Sequence, residues 1–315
     1  MAAREYSKAF MLYAGRSSKY SASVITSVLS DLISPRGVLD VGCARGTWLK
    51  AWSRHLSNGD YHGVDSYAGS ALLEIPAEKF TAADFNTGFD LGRTFDLVQC
   101  LEVAEHLEPS CSGRFVSCLA RHSSRFLLFS AAPPGQGGEY HINEQPYEYW
   151  RNLLANEGFD AFDVLRKRII SDKRISYWYR YNTFLYVRRD CVSGLSREVR
   201  LSAVPKDTAL CDIAPVTFRL RKALVRLLPY EVRNSIAKLK ARLHGQSGAA
   251  SSRGGAHPSQ PGGDRSTRAT TIWSSARIPM ASSWSTRSGM ARGLRRCTSP
   301  SVRSRENVGG RRTPR

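Results

Sequence analysis

The chain has 315 residues, enough for one sizeable core and further segments, and carries a formal net charge of +19. Residues 1–190 hold 22 basic and 21 acidic side chains, whereas residues 191–315 hold 24 and 6, so a nearly neutral domain precedes a strongly basic part. Seven cysteines without a Cys-x-x-Cys pair, no signal-peptide pattern and no apolar run of membrane-spanning length exclude a disulfide framework and a transmembrane protein. We therefore expect a cytoplasmic protein whose contact with a membrane is at most peripheral.

The first 36 residues predict a helix that packs on a sheet. Residues 1–20 mix aromatic and basic side chains, which is consistent with a helix or lid over a ligand site and equally with a frayed start. From Ser21 to Ile33 apolar residues recur at helical spacing, and Ser34-Pro35 ends the helix.

A short apolar run, Val38 to Val41, predicts a buried strand of a parallel sheet. It continues into a glycine-bearing turn, Gly42 to Gly46, and then into a helical pattern. In an open α/β sheet, small ligands bind at this junction, where backbone N–H groups and the helix N-terminus favour an anionic group.

Three further strands end in acidic residues at suitable distances. Tyr61 to Asp65 places a carboxylate where it can accept hydrogen bonds from both hydroxyls of a ribose. Thr81 to Phe85 offers Asp84 and a ring for an adenine, and Phe95 to Leu101 precedes Glu102. A nicotinamide dinucleotide site is disfavoured, because its usual motif is Gly-x-Gly-x-x-Gly and this chain has Ala44 and Thr47 at the second and third glycine positions. The remaining alternative is an α/β domain whose glycines only make turns.

Residues 36–190, and above all VLDVGCARG, GVD, AADF and FDLVQCLEVAEHL, resemble the class I S-adenosylmethionine-dependent methyltransferases of the type 11/12-like group. That family usually has a glycine where this chain has Ala44. The resemblance implies an α/β, doubly wound, Rossmann-like sheet of seven mostly parallel strands, with the seventh antiparallel. It also implies that S-adenosyl-L-methionine is the cofactor, bound by Asp40, Gly42, Cys43, Ala44, Gly46, Asp65, Asp84, Phe85 and Leu101.

The second half of this domain continues the alternation of helices and strands. Helices are expected over Pro109 to Ser123 and from Pro146 to Gly158, and strands over Arg125 to Ser130, Phe159 to Ile170 and Tyr181 to Val187. The aromatic run Ile175 to Arg180 has two interpretations: a wall of an acceptor pocket, or a strand with alternate rings in the core.

The segment after the fourth strand carries the candidate chemistry. On a helix, Glu102, Glu105 and His106 stand at i, i+3 and i+4 and share one face. His106, assisted by Glu105, is suited to act as a general base. Alternatively, Glu102, Glu105, His106 and His141 bind a divalent cation, a pattern similar to that of metal-dependent O-methyltransferases of the ubiquinone pathway and small-RNA 2′-O-methyltransferases. A purely structural role, with the glutamate as a helix cap, is the third possibility.

Beyond a methyltransferase domain over residues 1–190, we expect a linker at 191–215 and basic amphipathic helices at 216–244, broken at Pro229. These helices predict either docking on the domain or on a second copy, or adsorption to an anionic membrane. Residues 245–315 contain 14 Ser, 13 Arg and 10 Gly with no Lys, which predicts disorder. Such a tail is either an arm that binds nucleic acid or the product of a shifted reading frame.

The expected activity is transfer of a methyl group to a hydroxyl of a small-molecule or glycan acceptor. Two alternatives remain: metal-assisted 2′-O-methylation of RNA, and a non-catalytic S-adenosylmethionine-binding subunit tethered to membrane or nucleic acid.

Overall fold

The structure, a computed structural model, describes residues 8–66 and 72–239, with side chains from residue 18 onward. The expected tail at 245–315 and the last residues of the 216–244 segment lie outside this part. No helix within the described ranges combines the length and apolar character needed to cross a membrane.

Seven strands form one sheet in the order β3-β2-β1-β4-β5-β7-β6. Strand β7 pairs antiparallel with both of its neighbours, and the other pairs are parallel, which confirms the predicted architecture. The strands are β1 (Val38–Val41), β2 (Tyr61–Asp65), β3 (Phe80–Ala82), β4 (Phe95–Leu101), β5 (Ser123–Ser130), β6 (Phe159–Phe162) and β7 (Phe184–Arg188).

Helices cover both faces of the sheet, so the apolar runs of the central strands are buried from two sides. On one face α1 (Lys8–Ile33) and α2 (Thr47–Trp52) bury Ile25, Leu29 and Trp52. On the other, α3 (Ser112–His122) and α4 (Tyr147–Asn156) bury Phe115 and Trp150.

Two expectations for the second half were wrong. Strand β6 stops at Phe162, and α5 (Arg166–Ile169) follows where the strand was expected to continue. The aromatic run forms α6 (Tyr177–Asn182) and not a strand. Tyr179 and Tyr181 are nonetheless buried, so tertiary packing has overridden the β-propensity of the tyrosines.

Residues 189–239 pack on the sheet domain. A 3₁₀ helix (Arg189–Gly194) and α7 (Arg197–Leu201) occupy the segment expected as a linker, and Ala203 forms a β-bridge with Phe162. Two helical stretches follow, α8 (Val216–Arg226) and residues 230–239.

Candidate active site

The turn after β1 has a backbone that favours glycine. Gly42, Ala44 and Gly46 have φ angles of 84°, 48° and 82°, all in the left-handed region. A Cβ atom at Gly42 would lie 2.2 Å from Cγ2 of Val103, so glycine is also needed there for close packing. The alanine at position 44 keeps the turn but in a conformation that costs it free energy.

Asp40 is buried next to this turn. Its Oδ1 accepts a hydrogen bond of 3.0 Å from Nε2 of Gln99, whose Oε1 accepts one of 3.1 Å from Nε1 of Trp52. Its Oδ2 has no hydrogen-bond partner among the described residues. Burial raises the pKa of Asp40 to about 7. A cationic group of a ligand would satisfy this oxygen and favour its ionised form.

The other acid-bearing strand ends lie beside Asp40 because β1, β2 and β3 are neighbours in the sheet. The Ala44 N–H donates a hydrogen bond of 2.7 Å to Oδ2 of Asp65, which ties the turn to the end of β2. Asp84 is exposed, and its Oδ1 accepts a hydrogen bond of 2.9 Å from the Asn86 N–H. These three carboxylates lie at or just after the ends of neighbouring strands.

Three more of the expected cofactor residues are buried. Phe85 packs its ring in the core, 5.5 Å from the ring of Phe115, where we expected a ring open to an adenine. Cys43 lies against Gly63, since a Cβ there would be 2.7 Å from its Sγ, and Leu101 ends β4. Phe85 and Cys43 are therefore part of the packed core.

The helical placement of the catalytic segment was wrong. Glu102 follows β4 with a φ of 56°, and its N–H donates a hydrogen bond of 3.0 Å to the Ser130 carbonyl. Only Ala104–His106 form a turn, and that turn is a 3₁₀ helix. The chain leaves the sheet through a left-handed residue, so the i, i+3, i+4 geometry does not arise, and non-glycine residues in such conformations are concentrated at functional sites.

Glu102 is held in a buried network of polar side chains. Its carboxylate accepts hydrogen bonds of 2.7 Å from Nε2 of Gln136 and 3.2 Å from Nδ2 of Asn182. Asn182 in turn accepts a hydrogen bond of 2.8 Å from the Tyr147 hydroxyl. Burial raises the pKa of Glu102 despite these hydrogen bonds. Glu102 is thus fixed in place by neutral partners.

Glu105, His106 and His141 come together through the tertiary fold. One ligand atom from each lies within 4.8 Å of the others. Glu105 is fully buried and neither of its carboxylate oxygens has a hydrogen-bond partner among the described residues, while Nε2 of His141 lies 3.9 Å from Oε1. Burial, and then the charge of Glu102, raise the pKa of Glu105 well above its usual value. Three of the four predicted metal ligands therefore form a compact set.

Glu144 organises the loop after β5, a role that its position in the sequence did not reveal. Its carboxylate accepts hydrogen bonds of 2.8 Å from the Gly135 N–H, 2.7 Å from the Gly137 N–H and 3.1 Å from Nδ1 of His141. Although burial opposes it, the hydrogen bonds from His141 and the two amides keep the pKa of Glu144 below its usual value. In a neutral imidazole, donation from Nδ1 to Glu144 leaves the lone pair on Nε2, the nitrogen that lies 3.9 Å from Oε1 of Glu105.

A pocket of about 210 Å³ opens beside His141 and Glu144. Arg226 of α8 and Arg233 of the 230–239 helix form its outer wall, and Arg233 lies 3.3 Å from Oε2 of Glu144. Phe218 of α8 contacts the rings of Tyr177 and Tyr181, so the basic helices cover the aromatic run. Nothing in the sequence pattern indicated that these helices line the site.

Comparison with known proteins gives a domain match. Residues 13–162 match the model of a methyltransferase domain. No curated protein matches the chain.

Solved structures with a similar fold include three bacterial methyltransferases. The sugar N-methyltransferase KedS8 from Streptoalloteichus shares 21% identity over 60% of this chain and 99% of that chain, with a TM-score of 0.46. The amino pentose methyltransferase CalS10 from Micromonospora echinaspora shares 17% identity over 60% of this chain and 100% of that chain, with a TM-score of 0.43. Magnesium protoporphyrin IX methyltransferase from Synechocystis shares 20% identity over 59% of this chain and 90% of that chain, with a TM-score of 0.39.

The domain match contains the four motifs that the resemblance quotes, from the glycine turn through the acid-bearing strand ends to Glu105 and His106. The seven-stranded sheet with its single antiparallel strand agrees with it. Residues 13–162, just under half of the chain, therefore form a methyltransferase domain.

Proposed function

We propose that the enzyme transfers the methyl group to a hydroxyl of a small-molecule or glycan acceptor, bound beside Glu105, His106 and His141. The observation that supports this most is the buried carboxylate of Glu105 next to two histidines. Burying a carboxylate is costly, so a buried glutamate beside two histidines is a candidate for moving a proton or binding a cation.

The cofactor supplies a sulfonium methyl that is already a good electrophile. The chain's task is to bind it, to exclude water and to align the acceptor oxygen in line with the methyl group. Asp40, Asp65 and the turn from Gly42 to Gly46 are the residues that would hold it, and the unpartnered Oδ2 of Asp40 fits its positive charge.

The acceptor hydroxyl must lose its proton as the new bond forms. His106 is the candidate for taking that proton, with the buried Glu105 beside it. The same residues, with His141, offer the mixed carboxylate and imidazole ligands that suit a divalent cation, which would lower the pKa of the hydroxyl. Glu102 was expected as a fourth ligand, but its hydrogen bonds to Gln136 and Asn182 make it a support for the cluster.

Chelation followed by addition of Mg²⁺ or Mn²⁺ tests the cation role. We expect EDTA to abolish methyl transfer and the cation to restore it, and the cation to raise the melting temperature of the wild type but not of Glu105→Ala. Glu144→Gln should raise the cation concentration for half-maximal activity about 10- to 100-fold, because His141 loses its orienting carboxylate. Glu198→Gln, at an exposed ion pair with Arg168, is the matched control. If EDTA leaves turnover unaffected, the cluster does not bind a catalytic cation, and proton transfer is the role that remains for it.

Labelled methyl transfer to separated small-molecule, polysaccharide, lipid and RNA fractions tests the acceptor class. Label on an oxygen of a small molecule or glycan supports the proposal, and label on nitrogen contradicts it. Label recovered as 2′-O-methyl nucleosides would favour the RNA alternative. Binding of S-adenosylhomocysteine without transfer to any fraction would favour a non-catalytic subunit.

A further inference from the structure

Helix α8 contacts the domain through a mixed aromatic and basic face. Phe218 lies 4.7 Å from the Tyr177 ring, and the buried Lys222 forms an ion pair with Asp212. Arg221 donates a hydrogen bond of 3.1 Å to the Gln136 carbonyl. These contacts fix which side of the helix faces inward.

The 230–239 helix docks in the same way, through polar side chains. Oδ1 of Asn234 accepts a hydrogen bond of 3.0 Å from the Tyr140 N–H, and Nζ of Lys238 lies 4.7 Å from the centre of the Tyr140 ring. Together with the ion pair between Arg233 and Glu144, these contacts attach the helix to the loop after β5.

The apolar residues of both helices consequently point to solvent. Their exposed fractions run from 37% at Leu228 to 81% at Leu227. We call this surface the leucine face: Val216, Leu220, Leu224, Leu227, Leu228, Val232, Ile236 and Leu239. An amphipathic helix of a globular domain normally buries its apolar stripe, so this inverted orientation indicates an external partner.

Charge identifies the partner. At about 100° per residue, Arg219 and Arg226 lie along one edge of the leucine face of α8 and Arg221 along the other. These three arginines are the exposed basic side chains of residues 216–239, and Glu231 is the exposed acidic one. An apolar stripe bordered by arginines is the pattern of a helix that lies in the interface of an anionic membrane. We propose that the leucine face adsorbs to the surface of such a membrane, with both helices parallel to it.

A second copy of the chain fits this surface less well. A two-fold interface would place the same patch against itself, and the positive charges of the two copies would then oppose each other. Anionic lipid headgroups complement the arginines, and the acyl region accepts the leucines. The proposal does not depend on which acceptor the enzyme methylates.

The full-length chain with Leu224→Trp provides a local probe. We expect its added tryptophan emission to shift to shorter wavelength with phosphatidylglycerol vesicles, and to be quenched when their acyl chains are brominated. Leu201→Trp, at a residue 74% exposed on α7 and outside the leucine face, is the matched control and should show neither effect beyond wild type. Phosphatidylcholine vesicles should give a weaker response, since the arginines lack anionic headgroups.

Vesicle sedimentation of a Leu220→Ser, Leu224→Ser, Leu227→Ser variant is the second measurement. Its partition coefficient should fall at least about tenfold, because three leucine side chains no longer enter the interface, while its circular dichroism and cofactor affinity match wild type. Unchanged emission of Leu224→Trp with anionic vesicles, or equal responses at positions 224 and 201, would overturn the proposal. So would a wild-type dimer in sedimentation equilibrium that the triple variant converts to monomer.

Discussion

The pKa of Asp40, about 7 because its carboxyl is buried, makes the stability of the cofactor-free enzyme depend on pH. The pKa of an unfolded aspartate is about 3.9, so folding favours the protonated form, and the stability gained from it is lost as pH rises toward 7. We expect this group to lower the free energy of unfolding by about 2–3 kcal/mol between pH 5 and pH 8. Denaturant titrations at the two pH values should show this loss in the wild type and in Asp31→Asn, and a smaller loss in Asp40→Asn.

The same carboxylate should make cofactor binding depend on pH. A bound cation favours the ionised form of Asp40, so binding below pH 7 releases a proton and the affinity for S-adenosylmethionine rises from pH 6 to pH 8. Asp40→Asn should bind about tenfold more weakly at pH 8 and lose most of this dependence. Calorimetry in two buffers of different ionisation enthalpy measures the proton release, and equal heats in both buffers would contradict the assignment.

Ala44 adopts a φ of 48°, in the left-handed region that alanine disfavours. Replacement with glycine removes this cost, which exceeds the entropy that glycine adds to the unfolded chain, so Ala44→Gly should stabilise the enzyme by about 0.5–1 kcal/mol. Ala223→Gly, at an exposed position inside α8, should instead destabilise by about 1 kcal/mol. Melting temperatures of the two variants that shift in the same direction would contradict this account of the turn.

At the level of elements, local patterns predicted the parts of the fold that local interactions determine. The apolar runs of β1 and β4 are buried strands, and the turn from Gly42 to Gly46 lies where its glycines indicated. Long-range packing decided the rest. Glu102 leaves the sheet in a left-handed conformation because its amide binds Ser130, a residue that no local pattern connects with it.

The role of Glu144 depends on contacts that sequence spacing does not reveal, since its carboxylate binds two loop amides and a histidine at once. The sequence pattern also could not predict which way the leucine face points. An amphipathic pattern shows that a helix has an apolar stripe but not whether the stripe or the opposite side meets the domain. That choice followed from Phe218, which finds ring partners on the sheet domain, and from Lys222, which finds the carboxylate of Asp212 in the segment packed on that domain.

Helix α8 should support acceptor binding without affecting the cofactor, because Arg226 lines the pocket and the glycine turn has no part in it. Phe218→Ala removes the ring contacts to Tyr177 and Tyr181 and should weaken docking by about 1–2 kcal/mol, part of the cost of deleting a fully buried ring. We expect faster proteolysis within residues 216–239 and a higher KM for the acceptor, with an unchanged Kd for S-adenosylmethionine. Thr217→Ala, on the exposed side of the same helix, should leave both constants as in wild type.

At the scale of the whole molecule, two buried arginines join residues 191–215 to the sheet. Arg151 of α4 donates hydrogen bonds to the carbonyls of Val204, Pro205 and Thr208. Arg166 of α5 donates hydrogen bonds of 2.9 Å to the carbonyls of Tyr181 and Cys211. The segment also buries Val199 completely. Residues 191–215 are therefore packed against the domain, and a boundary at residue 190 would cut through that packing.

A chain ending at residue 190 should therefore be much less stable than one ending at residue 239. The shorter chain would remove three carbonyl acceptors of Arg151 and one of Arg166, that of Cys211, and would expose the surface that Val199 covers. A buried donor left without its acceptor costs about 1–3 kcal/mol, so the loss of these four carbonyl acceptors is a large fraction of the stability of a typical domain. We expect the 1–190 chain to aggregate or to melt at least about 10 °C lower, whereas the 1–239 chain unfolds in one cooperative transition.

Arg166→Lys in the 1–239 chain should reproduce part of this loss, because an ammonium group cannot bind Asp163 and two carbonyls in the geometry of a guanidinium. Equal melting temperatures for the two chains would mean that the packed segment contributes nothing to the fold.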